Sequence, residues 1–87
     1  MDKLDLAEFS PSMKQGEYLA LMQFASSLKR CRESQELSLA DLAQRSGIDR
    51  SAICRLENGL ADNPTLATLE RLARSVGKGI RIELEDN

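Results

Sequence analysis

The segment spanning residues 39–59, LADLAQRSGIDRSAICRLENG, limits what this chain can fold into more than any other feature. It places two short amphipathic stretches around Gly47, a residue type suited to the left-handed turn that ends a helix. Ala43 supplies the small side chain needed where two helices cross steeply, and Ile53 and Leu56 supply apolar anchors for the second helix. The spacing therefore predicts two short helices packed across a tight turn.

Capping residues define the ends of both predicted helices. Ser38 with Asp41 has the S-x-x-D form of a capping box, so the first helix should begin directly after Ser38. Asp49 is the expected N-cap of the second helix. That helix is predicted over residues 50–58, with Gly59 ending it.

Two further helices and one strand are predicted around this pair. Apolar residues recur at spacings of three and four over residues 17–34, and again over residues 66–76 after the expected N-cap Thr65. Apolar and charged residues alternate over residues 80–84, which is typical of a strand with one buried face. We therefore expect an all-α bundle of four or five short helices with a C-terminal β-strand. Its parts are an N-terminal arm, a helical domain and a C-terminal tail, over residues 1–16, 17–78 and 79–87.

The second helix of the pair has two chemically different sides. At about 100° per residue, Ala52, Ile53 and Leu56 fall on one side, and polar and cationic residues fall on the other. The polar side has no acid at its centre. Arginine reads guanine edges in a major groove, and serine and asparagine reach bases or phosphates there. The residues of this outer side are Arg50, Ser51, Cys54, Arg55 and Asn58.

The total charge argues against a nucleic-acid partner, whereas its distribution weakens that argument. The chain carries 12 Lys and Arg against 14 Asp and Glu, a net charge of −2, and affinity for phosphate comes from Lys and Arg. Residues 28–59 hold six basic and five acidic residues, a local net charge of +1. Because the local face matters more than the total, we expect DNA binding with modest non-specific affinity.

Composition also excludes several function classes. The chain has no histidine and two cysteines, Cys31 and Cys54, so we expect no metal site and no disulfide framework. It has no phosphate-binding loop and no acid pair that suggests a cleft, so we expect neither an enzyme nor a cofactor. No apolar run approaches the roughly 18 residues of a membrane span, and the start lacks the layout of a secretion signal. We therefore expect a cytoplasmic protein that does not contact membranes.

Residues 28–76 resemble the Cro/repressor-type helix-turn-helix family, also called lambda-repressor-like or XRE. The phrase LSLADLAQRSGIDRSAICRLENG matches the family's spaced small, glycine and apolar positions and ends in its Leu-Glu-x-Gly. The phrase NPTLATLERLARSVG resembles the family's next helix. The resemblance implies a lambda-repressor-like bundle whose recognition helix, residues 49–58, enters the major groove of double-stranded DNA.

The resemblance also implies DNA contacts for individual residues. Arg50, Ser51 and Arg55 would face bases, while Asn58 and the amide groups near Gly59 would hold phosphate. The family often has a glutamine at position 39 that helps to grip the DNA backbone, and the leucine found here cannot do so. The candidate DNA-binding residues are Ser38, Arg50, Ser51, Cys54, Arg55 and Asn58.

A buried ion pair is expected to brace the motif. By the same resemblance, Arg32 would pair inward with Glu57 and hold the first helix against the recognition helix. Arg32 lies on the apolar stripe of its own helix, which favours a buried pair over an exposed one. The candidate structural residues are Arg32, Ala43, Gly47, Ile53, Leu56 and Glu57.

Plainer interpretations stay open at this point. The segment could be an ordinary helical hairpin, the outer arginines a solvated surface, and the Arg32–Glu57 pair a weak surface contact. The fold could also serve as a protein-interaction module that does not use DNA, which the acidic balance and Leu39 favour, whereas the outer arginines and the intact motif favour DNA binding more strongly. Cys54 is expected to be inert and to add little to DNA readout.

The alternating tail has a consequence for assembly, because a lone strand leaves its backbone groups unpaired. The economical solution is antiparallel pairing with the same strand of a second copy, which gives a two-fold homodimer. Such a dimer would present two recognition helices to successive major grooves, about 34 Å apart, on an inverted repeat. The expected interface residues are Ile80, Ile82 and Leu84.

The tail also suggests a narrower role. The sequence VGKGIRIELED resembles antitoxins of the helix-turn-helix kind, which repress their own operon and bind a toxin through segments outside the DNA reader. The resemblance implies a toxin protein as a second partner, with residues 1–16 as the arm that would contact it.

Overall fold

The computed structural model describes residues 15–61, 63–84 and 86. Side chains are described from residue 19 onward. The described residues form four helices: α1 (Gln15–Ser34), α2 (Leu39–Ser46), α3 (Arg50–Glu57) and α4 (Leu66–Ser75). Helix α1 begins inside the predicted arm, whose residues 1–14 lie outside the described residues. None of the described helices has the length and apolar character that a bilayer span requires.

All four helices contribute to one aliphatic core. Leu42 of α2, Ile53 of α3 and Leu72 of α4 are almost inaccessible to solvent, and α1 adds Leu21 and Leu28. Burying one such side chain stabilises the fold by about 1.5–3 kcal/mol. Helix α3 packs against both α2 and α1, so its inner side is held from two directions.

Helix α2 has the ends that the sequence predicts. The Ser38 amide donates to Asp41 Oδ2 at 2.8 Å, and the Asp41 amide donates to Ser38 Oγ at 3.0 Å, which completes a capping box. Donation from the Ser38 N–H, and then from its hydroxyl, lowers the pKa of the Asp41 carboxyl. At the other end, Gly47 has a φ of 76° and its N–H donates to Ala43 O at 2.9 Å. This left-handed residue turns the chain towards α3.

Helix α3 begins at the predicted residue without the predicted side-chain cap. Asp49 occupies the N-cap position with an extended backbone, but its side chain does not make the hydrogen bond of a formed cap. Its carboxylate instead accepts a hydrogen bond from the Ser51 hydroxyl, which lowers the pKa of Asp49. A hydroxyl two residues along the chain thus competes with the backbone for the same oxygens.

Both ends of helix α4 are tied down. The Thr65 side chain accepts from the Thr68 amide at 3.1 Å, which confirms the predicted N-cap. At the C-terminal end, Arg45 Nη1 donates to Ser75 O at 3.1 Å and Gln35 Nε2 donates to Val76 O at 2.8 Å. These bonds satisfy carbonyl groups that the helix leaves free, and they attach α4 to α2 and to the end of α1.

The structure does not show the predicted C-terminal strand over residues 80–84. Residues 78–84 are irregular, and no strand is present in the described part of this single chain. A strand is held by hydrogen bonds to a neighbouring strand, and no described segment offers that partner. Ile80 is half-buried, whereas Ile82 and Leu84 are 66% and 101% exposed.

Candidate nucleic-acid interface

Helix α3 is held firmly on one side and is open on the other. Ile53 and Leu56 are buried in the core, and the half-buried Ala43 packs against the same cluster from α2. The open side carries the residues that the sequence predicts to meet DNA, so core packing alone fixes which side of α3 faces outward. The outward set is Arg50, Ser51, Arg55 and Asn58, all exposed, with Cys54 half-buried among them.

Arg50 and Arg55 have uncommitted guanidinium groups. Both side chains are exposed, and neither makes a hydrogen bond or ion pair within the part of the chain that the structure describes. The two residues lie five positions apart, which corresponds to about 7.5 Å along the helix axis. Each guanidinium keeps five N–H donors in a planar fork, the geometry that pairs with two acceptors at once.

The smaller polar residues of the outer side are partly used by the helix itself. Asn58 Nδ2 donates to Cys54 O at 2.8 Å and lies 3.5 Å from Cys54 Sγ, so this side chain caps the end of α3. Ser51 donates to Asp49, and Ser38 accepts from the capping box of α2. Asn58 keeps its amide oxygen for an external partner, whereas the Ser38 hydroxyl is shared with Asp41 inside the capping box.

The amide groups around Gly59 are also used by the helix end. Gly59 has a φ of 73°, and its N–H donates to Leu56 O at 3.0 Å. The neighbouring Asn58 and Leu60 amides donate to Cys54 O at 3.1 Å and to Arg55 O at 2.7 Å. The phosphate contact that the resemblance implies for these amides therefore lacks a free donor at residues 58–60.

Arg32 and Glu57 form a bidentate ion pair behind α3. Arg32 Nε donates to Glu57 Oε2 and Nη2 donates to Oε1, both at 2.8 Å, and the side chains are only 13% and 4% exposed. Arg32 Nη1 also donates to Leu37 O at 3.0 Å, so one guanidinium joins α1, α3 and the α1–α2 connection. The hydrogen bond to Glu57 raises the pKa of Arg32. The paired Glu57 charge therefore does not oppose the cations on the outer side.

One acid lies at the edge of the outer side, and sequence reasoning assigned it to capping alone. Asp49 is exposed at the start of α3, next to Arg50. Donation from the Ser51 hydroxyl lowers the pKa of Asp49, and its carboxylate offsets one of the two arginine charges. The signal that could have found it is the D-x-S spacing at residues 49–51, since such side chains often bond to each other locally.

The tail residues expected at a dimer interface are not brought together with this site. Ile80 lies against α1 beside Phe24, Leu28 and Cys31, while Ile82 and Leu84 extend into solvent. Both cysteines are free thiols. The site therefore consists of α3 and the caps around it, and the tail is a separate feature.

Comparison with known proteins agrees with this geometry. A family model described as helix-turn-helix matches residues 28–82, which include the end of α1 and all of α2, α3 and α4. The HTH-type transcriptional repressor RghR of Bacillus subtilis (strain 168) is 36% identical over 53 residues, covering 61% of this chain and 39% of RghR. The chain thus spans about two-fifths of the length of that relative. No solved structure matches significantly. The chain belongs to the XRE type of the helix-turn-helix family.

Proposed function

We propose that this protein is a sequence-specific DNA-binding transcriptional regulator that inserts α3 into the major groove. The observation that carries the proposal is the exposure of Arg50 and Arg55, both unpaired among the described residues, on a helix whose other side is fixed. A guanidinium in this position can donate to O6 and N7 of guanine together, the most common specific contact in protein–DNA complexes. The repressor name of the relative RghR supports a role in transcription.

The regulator acts as a homodimer on an inverted repeat. Ile82 and Leu84 are large aliphatic side chains left exposed in the single chain, and burying them against a second copy removes apolar surface from water. A two-fold dimer then presents two α3 helices to successive major grooves about 34 Å apart. Residues 79–87 serve in this proposal as the dimerisation tail, and a toxin partner stays a prediction from the tail sequence.

A protein-interaction module with the same fold is the second candidate. Leu39, at the start of α2, is half-buried against the core and does not offer a polar group to a DNA backbone. The amides of residues 58–60 are committed to α3. Both observations reduce the number of phosphate contacts that the fold can make.

A salt series separates the two candidates. Affinity is measured by fluorescence anisotropy for duplex DNA from upstream of the protein's own gene and for a random duplex of equal length. A regulator binds its own sequence more tightly, and the logarithm of its affinity falls linearly with the logarithm of the salt concentration. We expect a shallow slope, because the outer side of α3 offers only the cations Arg50 and Arg55 to phosphate.

Arg55→Ala tests the contact itself. Loss of a base contact should cost roughly 1–3 kcal/mol on the protein's own sequence and much less on random DNA. Arg71→Ala is the matched control, since Arg71 is an exposed arginine of α4 that lies beside Gln35 and Arg45. Equal losses on both duplexes would reduce Arg55 to a phosphate contact. Absence of binding to either duplex would favour the interaction module.

A further inference from the structure

The charge pattern of the tail determines how two copies can pair. We propose that the tails of two copies pair in antiparallel fashion, with Ile82 opposite Ile82 of the second copy. The inference rests on the homodimer proposed above and names the contact that holds it together. The basic residues Lys78 and Arg81 precede Ile82, and the acidic residues Glu83 and Asp86 follow it.

The exposed aliphatic residues supply the apolar side of this contact. Ile80 is half-buried and lines an apolar groove of about 250 Å³ together with Phe24, Leu28 and Val76. Ile82 and Leu84 continue from it into solvent. In an extended chain, residues 80, 82 and 84 share one face, because successive side chains point to opposite sides of a strand.

The proposed register brings these aliphatic residues together. In an antiparallel pair, directly opposite residues lie on the same face. When Ile82 faces its own copy, two-fold symmetry places Ile80 opposite Leu84 of the second copy. That leucine then lies beside Ile80, one of the residues that line the groove. The contact also adds a packed surface, which a two-stranded pair this short needs in order to be stable.

The same register places each basic residue of the tail opposite an acidic residue of the second copy. Arg81 lies opposite Glu83 of the second copy, and Lys78 lies opposite Asp86. Within one chain, Arg81 Nε and Glu83 Oε2 are already 3.1 Å apart and exposed, so both charges can share a face. Opposite charges placed directly across a strand pair stabilise it. A contact between identical surfaces must complement itself, and a basic half followed by an acidic half does so when antiparallel.

Other registers of the strand pair place like charges opposite each other or leave aliphatic residues opposite charged ones. Centring the pair on Arg81 or on Glu83 places that charge opposite itself, which destabilises the pair. Centring it on Ile80 places Ile82 opposite Lys78. Sliding one chain by a single residue relative to the other places the apolar residues of one strand directly opposite the charged residues of its partner. These comparisons identify a second copy as the occupant, because the self-complementary pattern needs no other partner.

Cysteine cross-linking tests the register. In a background carrying Cys31→Ala and Cys54→Ser, the variant Ile82→Cys should form a covalent dimer on mild oxidation. Opposed residues have Cα atoms about 4.5–5.5 Å apart, within the reach of a disulfide. Leu84→Cys is the matched control and should not cross-link to itself. An equal mixture of the Ile80→Cys and Leu84→Cys variants should form the mixed covalent dimer.

A charge exchange supplies a second readout that does not depend on oxidation. Arg81→Glu should raise the dimer Kd at least tenfold in sedimentation equilibrium, and Arg81→Glu combined with Glu83→Arg should restore it. All these positions are exposed or half-buried in the single chain, and circular dichroism checks that each variant keeps its helices.

The outcomes separate this inference from the proposed function. A chain that sediments as a monomer without substitutions would overturn both the dimer and the register. A dimer in which Leu84→Cys cross-links to itself while Ile82→Cys does not would overturn the register alone. Failure of the charge exchange to restore an Arg81→Glu dimer would also overturn it.

Discussion

Removing the guanidinium of Arg32 should cost more stability than removing that of any other arginine in the four helices. In the unaltered chain the Glu57 side chain is 4% exposed, and Arg32→Ala deprives it of its bidentate partner and Leu37 O of its donor. Breaking a buried pair by removing one partner costs about 3–5 kcal/mol. Since the Arg32 side chain is itself 13% exposed, some water can reach the vacated position, so we expect about 3 kcal/mol. For a chain of this size that corresponds to a fall in Tm of about 12–24 °C.

Urea unfolding followed by circular dichroism measures this loss. All variants are compared at one protein concentration, because dimerisation adds stability by mass action. Arg74→Ala is the matched control: its side chain is 74% exposed and its Glu70 partner lies 3.7 Å away, so it should cost less than about 1 kcal/mol. Replacing both members, as Arg32→Met with Glu57→Leu, should be milder than Arg32→Ala. An Arg32→Ala chain as stable as the Arg74→Ala chain would refute this reasoning.

Three further predictions concern the turn, the cap and the recognition surface. Gly47→Ala should cost about 1–2 kcal/mol in thermal unfolding, because φ is 76° but an added Cβ meets nothing within 4 Å; a much larger loss would indicate a clash. Because donation from Ser38 lowers the pKa of Asp41, the stability that this carboxylate adds is present above its unfolded pKa of about 3.9 and is lost as the pH falls further. Asp41→Asn should therefore weaken the fall in the free energy of unfolding at acid pH, as measured by urea unfolding. An unchanged pH dependence would contradict this. Cys54→Ser should keep the affinity for DNA within about twofold. In a chain carrying Cys31→Ala, labelling Cys54 with a maleimide should abolish DNA binding. Unimpaired binding by the labelled chain would place Cys54 away from the DNA.

The ends of the helices could be predicted from the sequence because their signals are local. The Ser38–Asp41 capping box, the Thr65 N-cap and the left-handed Gly47 each depend on residues no more than three or four positions apart. The side of α3 that faces outward could also be predicted, since Ile53 and Leu56 define a single apolar side. In these cases neighbouring residues determine the outcome.

Other features depend on competition that spacing does not rank. Asp49 is suited to cap α3, yet the Ser51 hydroxyl donates to its carboxylate, and which donor prevails depends on small differences in local geometry. The third bond of Arg32, to Leu37 O, joins a side chain to a backbone atom and leaves no trace in the identities of the residues. The strand over residues 80–84 needs a neighbouring strand, so alternation alone cannot produce it in one chain.

The access of reagents to bound DNA tests most directly whether α3 enters the major groove. Dimethyl sulfate methylates guanine N7, which lies in the major groove, and adenine N3, which lies in the minor groove. On the upstream DNA of the protein's own gene, we predict protection of guanine N7 in two clusters about one helical turn apart, without matching protection of adenine N3. Arg55→Ala should remove part of each cluster, while Arg71→Ala should remove none. Protection confined to adenine N3, or identical footprints for the Arg55→Ala and unaltered proteins, would contradict the assignment of α3 as the helix that reads DNA.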